Sequence, residues 1–195
     1  MKSIRPYLLA AGLSLLSFSI VAATQEISGV KVEDQAEVNG TKLALNGAGI
    51  RYKGPFKVYV AGLYSGKKAS TLEELVNQPG PKRLQVTMVR DIEANEFGRL
   101  LTRGMEDNTN KAEMSKLVPG LLKMSQLFSD HKKLAAGDSF SIDWVPGVGS
   151  LVNIKGKAQV EPFKEPEFYK ALMGIWLGPV PADFKLKDAL MGIKG

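Results

Sequence analysis

The chain has 195 residues, no cysteine, one histidine and a formal net charge of +6. Without cysteine there are no disulfides, thiolate metal sites or cysteine nucleophiles, and one histidine excludes a multi-histidine zinc centre. The positive excess is mild and scattered, which argues against nucleic acid and leaves room for a small anionic ligand or membrane proximity.

The N-terminus reads as an export signal. MKSIR carries two positive charges, PYLLAAGLSLLSFSIV is an apolar run, and VAA offers small residues for cleavage. The run is short for a membrane span of ~20 residues, and Ser14, Ser17 and Ser19 dilute it. Cleavage is expected near Ala23, leaving residues 24–195 as one periplasmic domain. Losing Lys2 and Arg5 lowers the net charge from +6 to +4.

From Glu26 to Gly66 the pattern is β. ISGVKV and AEVNGTKLALNG alternate apolar and polar residues, and Asn39-Gly40 signals a hairpin. GIRY and FKVYVAGLYS follow, split by a turn at Gly54-Pro55. Alternation puts Phe56, Val58 and Val60 on one face and Lys57, Tyr59 and Ala61 on the other. Arg51 stands just after a glycine-rich corner, Gly47-Ala48-Gly49, inside this run. On an exposed face it stacks on a tyrosine; pointing into a cavity it needs an anion.

STLEELVNQPG predicts a short helix capped by Ser70 with Glu73, and KRLQVTMV a strand. Ile92, Phe97, Leu100, Leu101 and Met105 fall at helical spacing, as do Met114, Leu117, Val118, Leu121 and Phe128. Pro119 and Gly120 are expected to kink or interrupt the second of these helices. DSFSIDWVP and GSLVNIKG form a hairpin around Pro146-Gly147, with KAQVEP as a candidate third strand. Two helices close the chain, from Pro166 to about Trp176 and from Ala182 to Met191, with Gly178 between them. Strands, helices, a hairpin and helices in that order give an α+β fold, a mostly antiparallel sheet with helices on one face.

Familiar catalytic motifs fail. Gly47-Ala48-Gly49 lacks the third glycine and the following helix of a dinucleotide site, and Ser65-Gly66-Lys67-Lys68 lacks the partners of an S-x-x-K enzyme. His131 sits in FSDHKK at a polar helix end, where a solvated surface histidine is expected. Trp144 and Trp176 read as core. Arg51 and Tyr59 survive this screen best.

At these residues the chain resembles the chalcone isomerase-fold superfamily, and most of all its exported bacterial members. LNGAGIR and FKVYVAGLYS match the opening strands in order and spacing. TLEELVNQ, LQVTMVRDIEANEF, FSIDWVPGVGSLVNIKG and FYKALMGIWLGPVPADFKLKDALMG follow, so the likeness spans about Leu43 to Gly192. It implies an open-faced sandwich, a large sheet under a layer of helices, with a ligand cleft between them and Arg51 as the cleft arginine. In the plant enzymes that arginine works with a threonine on the next strand, a tyrosine and an asparagine on a helix, and a threonine on the penultimate helix. Here those positions fall at Tyr59 or Val60, at Phe97 and Gly104, and near Ile175.

With those donors gone, flavanone-forming catalysis is not expected. The resemblance instead implies a fatty acid or similar anionic amphiphile held by Arg51 and Tyr59, with Phe97, Leu101 and Met105 lining the cavity beside Met114 and Leu117. A monomer without cofactor or metal is expected; a haem would have His131 as its only histidine ligand. The alternatives are an isomerase or lyase stabilising an enolate- or phenolate-like anion, and an interaction protein with a vestigial cleft.

Overall fold

In the computed structural model, which describes residues 24–158 and 161–193, the chain opens with two hairpins. The expected signal peptide lies outside the described residues. β1 (Thr24–Ile27) and β2 (Val30–Glu33) pair across Ser28-Gly29, both at positive φ, so ISGVKV is a turn between two strands and not one strand. β3 (Gln35–Val38) and β4 (Thr41–Lys53) pair across Asn39-Gly40, with φ of 49° and 73°, the mirror-type turn that this dipeptide favours.

The stretch read as a glycine corner is not a corner. β4 runs straight through it, and its register against β5 (Phe56–Ser65) slips at Asn46 and again beside Arg51. At the first slip the Asn46 side chain binds the Ala69 N–H and C=O and the Leu190 C=O, tying two distant segments to the sheet. Gly47 and Gly49 lie under the last helix, and a Cβ at Gly47 would overlap the Ala189 carbonyl oxygen. The second slip leaves Val58 between the paired positions Lys57 and Tyr59. Val58 and Tyr59 therefore both join the core, where strict alternation had separated them.

α1 (Leu72–Asn77) is capped by Thr71, whose hydroxyl accepts from the Glu74 N–H at 3.1 Å, while the Glu74 carboxylate accepts from the Ser70 N–H at 2.7 Å. The cap thus stands one residue later than the Ser70–Glu73 pairing expected. After β6 (Lys82–Met88), Ile92 belongs to β7 (Ile92–Glu93) and not to the helix that follows, α2 (Ala94–Asp107). α3 (Lys111–Ser129) continues through Pro119 without interruption. Its buried face runs through Leu117, Met124, Leu127 and Phe128, leaving Val118 exposed, and Gly120 lets the Phe168 ring approach the backbone.

β8 (Lys133–Leu134) pairs with β7. β9 (Ser139–Val145) and β10 (Gly149–Ile154) form the expected hairpin, and β11 (Lys157–Ala158) is the described part of the third strand. α4 (Pro166–Leu177) starts on its proline and ends at Gly178, and α5 (Phe184–Leu190) is capped by Asp183.

Seven strands form one antiparallel sheet in the order β11-β10-β9-β6-β5-β4-β3. The main core lies between this sheet and the helices, the α+β sandwich expected. A smaller cluster on the other face joins Val38, Leu43, Tyr64 and Val145. Trp176 is fully buried, whereas Trp144 is half-buried against Tyr169.

Candidate functional site

The second register slip of β4 sets Arg51 opposite Tyr59 on the helix side of the sheet. Its guanidinium carbon lies 5.6 Å from the Tyr59 ring centroid. Nε is buried without a hydrogen-bond partner, and none of the ion pairs among the described residues includes Arg51. A cation that keeps a buried donor unpaired is costly unless an anion completes it. That asymmetry distinguishes Arg51 from an ordinary strand arginine.

Two clefts meet at Arg51 and Leu100. The smaller, about 140 Å³, lies between β4–β5, α2 and α4, with Tyr59, Phe97, Leu101, Gly104, Ile175 and Trp176 on its walls and Val180–Ala182 at its rim. Arg103 and Asp107 also border it, forming a loose pair at 3.8 Å. The larger, about 320 Å³, is more polar and carries Lys53, Arg90, Asp91, Glu93, Glu96 and Lys133.

Tyr59 is fully buried, and its hydroxyl accepts a hydrogen bond from Trp176 Nε1 at 2.8 Å. Burial pushes its pKa up to about 12, against the opposing pull of the Arg51 charge and the Trp176 bond. The phenol therefore stays neutral. Its oxygen is held by Trp176, and among the described residues no acceptor takes its proton, which leaves it free to donate to a ligand.

Phe97 packs edge-on to Tyr59, Phe128 and Phe140. Of the five residues expected at the site, Arg51, Tyr59, Phe97 and Leu101 come together around the smaller cleft. Met105 does not: it is fully buried in the core and reaches neither cleft. Helical spacing marks the buried face of α2 without separating wall from packing. Met114 and Leu117 also stand away from Arg51.

The positions that the resemblance aligns with the plant enzymes' partners, Phe97, Gly104 and Ile175, all border the Arg51 cleft. Tyr59, not Val60, faces the arginine. Ile175 occupies the space that a side chain at position 104 would need, with a Cβ there only 2.9 Å from Ile175 Cγ2. Trp176 is the residue that sequence reasoning missed. Its burial was legible, but its bond to a tyrosine 117 residues away was not.

A separate cavity of about 670 Å³, between α1, α3 and α4, contains Leu117 but no residue of the Arg51 clefts. His131 borders none of the three. It is half-buried after α3 with Nε2 enclosed and unpartnered, unlike the solvated histidine expected.

Comparison with known proteins places these features in a family. A fatty-acid binding protein of Arabidopsis thaliana, known from its crystal structure, is similar with a TM-score of 0.64 at 15% sequence identity, covering 88% of this chain and 96% of that one. At that identity the likeness concerns the fold. No curated sequence matches the chain. The profile described as chalcone isomerase-like matches residues 24–192, the sheet and every helix described above, and the chain therefore belongs to the chalcone isomerase-like family.

Proposed function

We propose that this protein, non-catalytic or at most weakly catalytic, binds a fatty acid or a similar anionic amphiphile in the periplasm. The observation that carries the reading is Arg51, a half-buried cation with an unpaired Nε facing a cleft walled by aromatic and aliphatic side chains. A carboxylate there meets the guanidinium and the free proton of Tyr59 together. A charge-assisted hydrogen bond contributes about 1.5–3 kcal/mol. Each buried CH₂ adds ~0.8 kcal/mol before ordering costs, so the tail supplies affinity and Arg51 sets head-group choice.

The smaller cleft lies below the range of about 300–1,000 Å³ usual for ligand pockets, and the larger sits at its lower limit. The two clefts suit a head group and the first part of a chain. The Arabidopsis protein of similar fold is described as binding fatty acids, which agrees with this assignment. Catalysis of the plant type is disfavoured because Phe97 offers no donor and Gly104 has no side chain.

Native mass spectrometry of residues 24–195, purified from the export compartment beside Arg51→Ala, tests the reading. A bound anionic lipid in the wild type, depleted in the variant, is expected. Empty protein in both would point to an enzyme with a transient substrate or to an interaction module, and turnover of a hydroxy-aryl ketone lost in Arg51→Ala would favour the enzyme.

A further inference from the structure

The rim of the Arg51 clefts carries large apolar side chains in the open. Phe184 is 64% exposed, Phe56 59%, Val180 52% and Tyr52 40%. The fold draws them together from three segments. The β4–β5 turn pairs Phe56 with Lys53, and the Tyr52 N–H donates to the Asp183 carboxylate at 2.9 Å, which brings the start of α5 and Phe184 alongside. Val180 itself borders the smaller cleft.

Cations surround this apolar group. Lys53, Lys57, Arg90 and Lys185 are exposed, and the Arg90 guanidinium carbon lies 5.1 Å from the Phe56 ring centroid. Lys53 and Arg90 also border the larger cleft. Three of the carboxylates nearby are engaged within the protein. Glu96 meets Lys53 at 3.3 Å, Asp183 caps α5 while holding the Tyr52 N–H, and Asp91 pairs with Lys133 at 2.6 Å, whereas Glu93 and Asp188 stand exposed. Against those two, the three cations Lys57, whose ammonium donates to the Ser28 hydroxyl at 3.0 Å, Arg90 and Lys185 keep the balance of the rim positive.

We propose that this rim is a membrane-docking face, with Phe56 and Phe184 entering the interface of an anionic bilayer while Lys57, Arg90 and Lys185 meet its head groups. Aromatic rings favour the head-group level, and a basic border adds attraction to anionic lipids. An amphiphile spends little time free in water, so a cleft opening onto the bilayer exchanges its ligand without an aqueous step. The inference rests on the amphiphile reading of the Arg51 cleft, yet each can fail alone.

The test is flotation of the mature protein with vesicles of phosphatidylcholine and phosphatidylglycerol in equal parts, beside vesicles of phosphatidylcholine alone. Wild type is expected to float with the anionic vesicles, less with the neutral ones, and less as salt rises. Phe56→Ser with Phe184→Ser should weaken binding by roughly tenfold or more, since two exposed rings lose their burial in lipid. Leu122→Ser is the control. Leu122 is 68% exposed on α3, whose neighbouring residues reach Phe163 and Phe168 at the other end of the sheet. It should bind vesicles as wild type does. Arg51→Ala should also keep vesicle binding while holding fatty acid more weakly, which separates docking from ligand binding. Charge reversal by Lys57→Glu with Lys185→Glu tests the same face without touching its apolar part, and should abolish the preference for anionic vesicles. Wild type that ignores both vesicles, a double phenylalanine variant that floats unchanged, or an equal loss in Leu122→Ser overturns the proposal. So does self-association through these residues in place of vesicle binding.

Discussion

Arg51 and Tyr59 make a pair in which each lacks what a carboxylate supplies, an acceptor for a buried N–H and one for a phenolic proton. Arg51→Ala is expected to lower fatty-acid affinity by roughly one to two powers of ten without abolishing it, because the tail keeps its burial. A titration showing less than a twofold change would count against the assignment. Arg51→Lys should fall between the two, since an ammonium keeps the charge and loses the planar fork. Tyr59→Phe strands the Trp176 indole N–H in the core and should cost about 1–3 kcal/mol, read as a lower urea midpoint.

Tyrosine burial also sets an alkaline limit. Tyr59 and Tyr64 move from an ordinary pKa of 10.0 to about 12, both chiefly through burial. Between those values the unfolded chain has released protons that the folded chain keeps, so the stability they contribute is whole below pH 10 and is lost as pH rises through 12. Lys82 runs the other way. Burial lowers its pKa from 10.5, and its contribution grows with pH until that value. Unfolding followed by urea should therefore show a midpoint that falls above about pH 10.5, and Tyr64→Phe should blunt the fall.

At the scale of elements, two devices hold the cleft walls in place. Gly47 lets α5 lie on β4, and the Asn46 side chain ties that contact to Ala69 and Leu190. Gly47→Ala forces α5 outward. A loss of about 1–3 kcal/mol is expected, together with weaker ligand binding, because α5 and the 180–182 segment move as a wall. Arg83 and Asp143 form a bidentate pair across β6 and β9, both bonds at 2.6 Å, with Asp143 buried and Asn153 also donating to it. Asp143→Ala should cost about 3 kcal/mol, near the low end for a broken buried pair because Arg83 keeps some access to water. This change lies on the opposite face of the sheet and should leave ligand affinity unaltered.

For the whole molecule, one sheet face carries nearly all the core, and the clefts open where α2, α4 and the segment before α5 meet the end of β4. No helix among the described residues is long and apolar enough to cross a membrane. Export is a further prediction: the mature protein should begin at Thr24, which N-terminal sequencing of material from the periplasm checks.

Much of this was legible in the chain before folding. Alternation places β3, β5, β6, β9 and β10 and helical spacing places α2 and α3, because burial of one face leaves a period in the sequence. Asn39-Gly40 and Pro166 announce a turn and a helix start through backbone chemistry that is local. The family, the α+β class and Arg51 as the residue to watch also came from the sequence. What it did not carry was any relation set by a register slip or a long-range contact. The two slips in β4 made a continuous strand of the glycine corner and turned Val58 inward with Tyr59. Met105 shares the period of Phe97 and Leu101 yet packs away from the cleft, since period reports burial and not what lies beside it. The bond from Trp176 to Tyr59, the unpaired Nε of Arg51 and the gathering of Phe56, Phe184 and Val180 at one rim exist only once distant segments meet, and tertiary packing alone decided them.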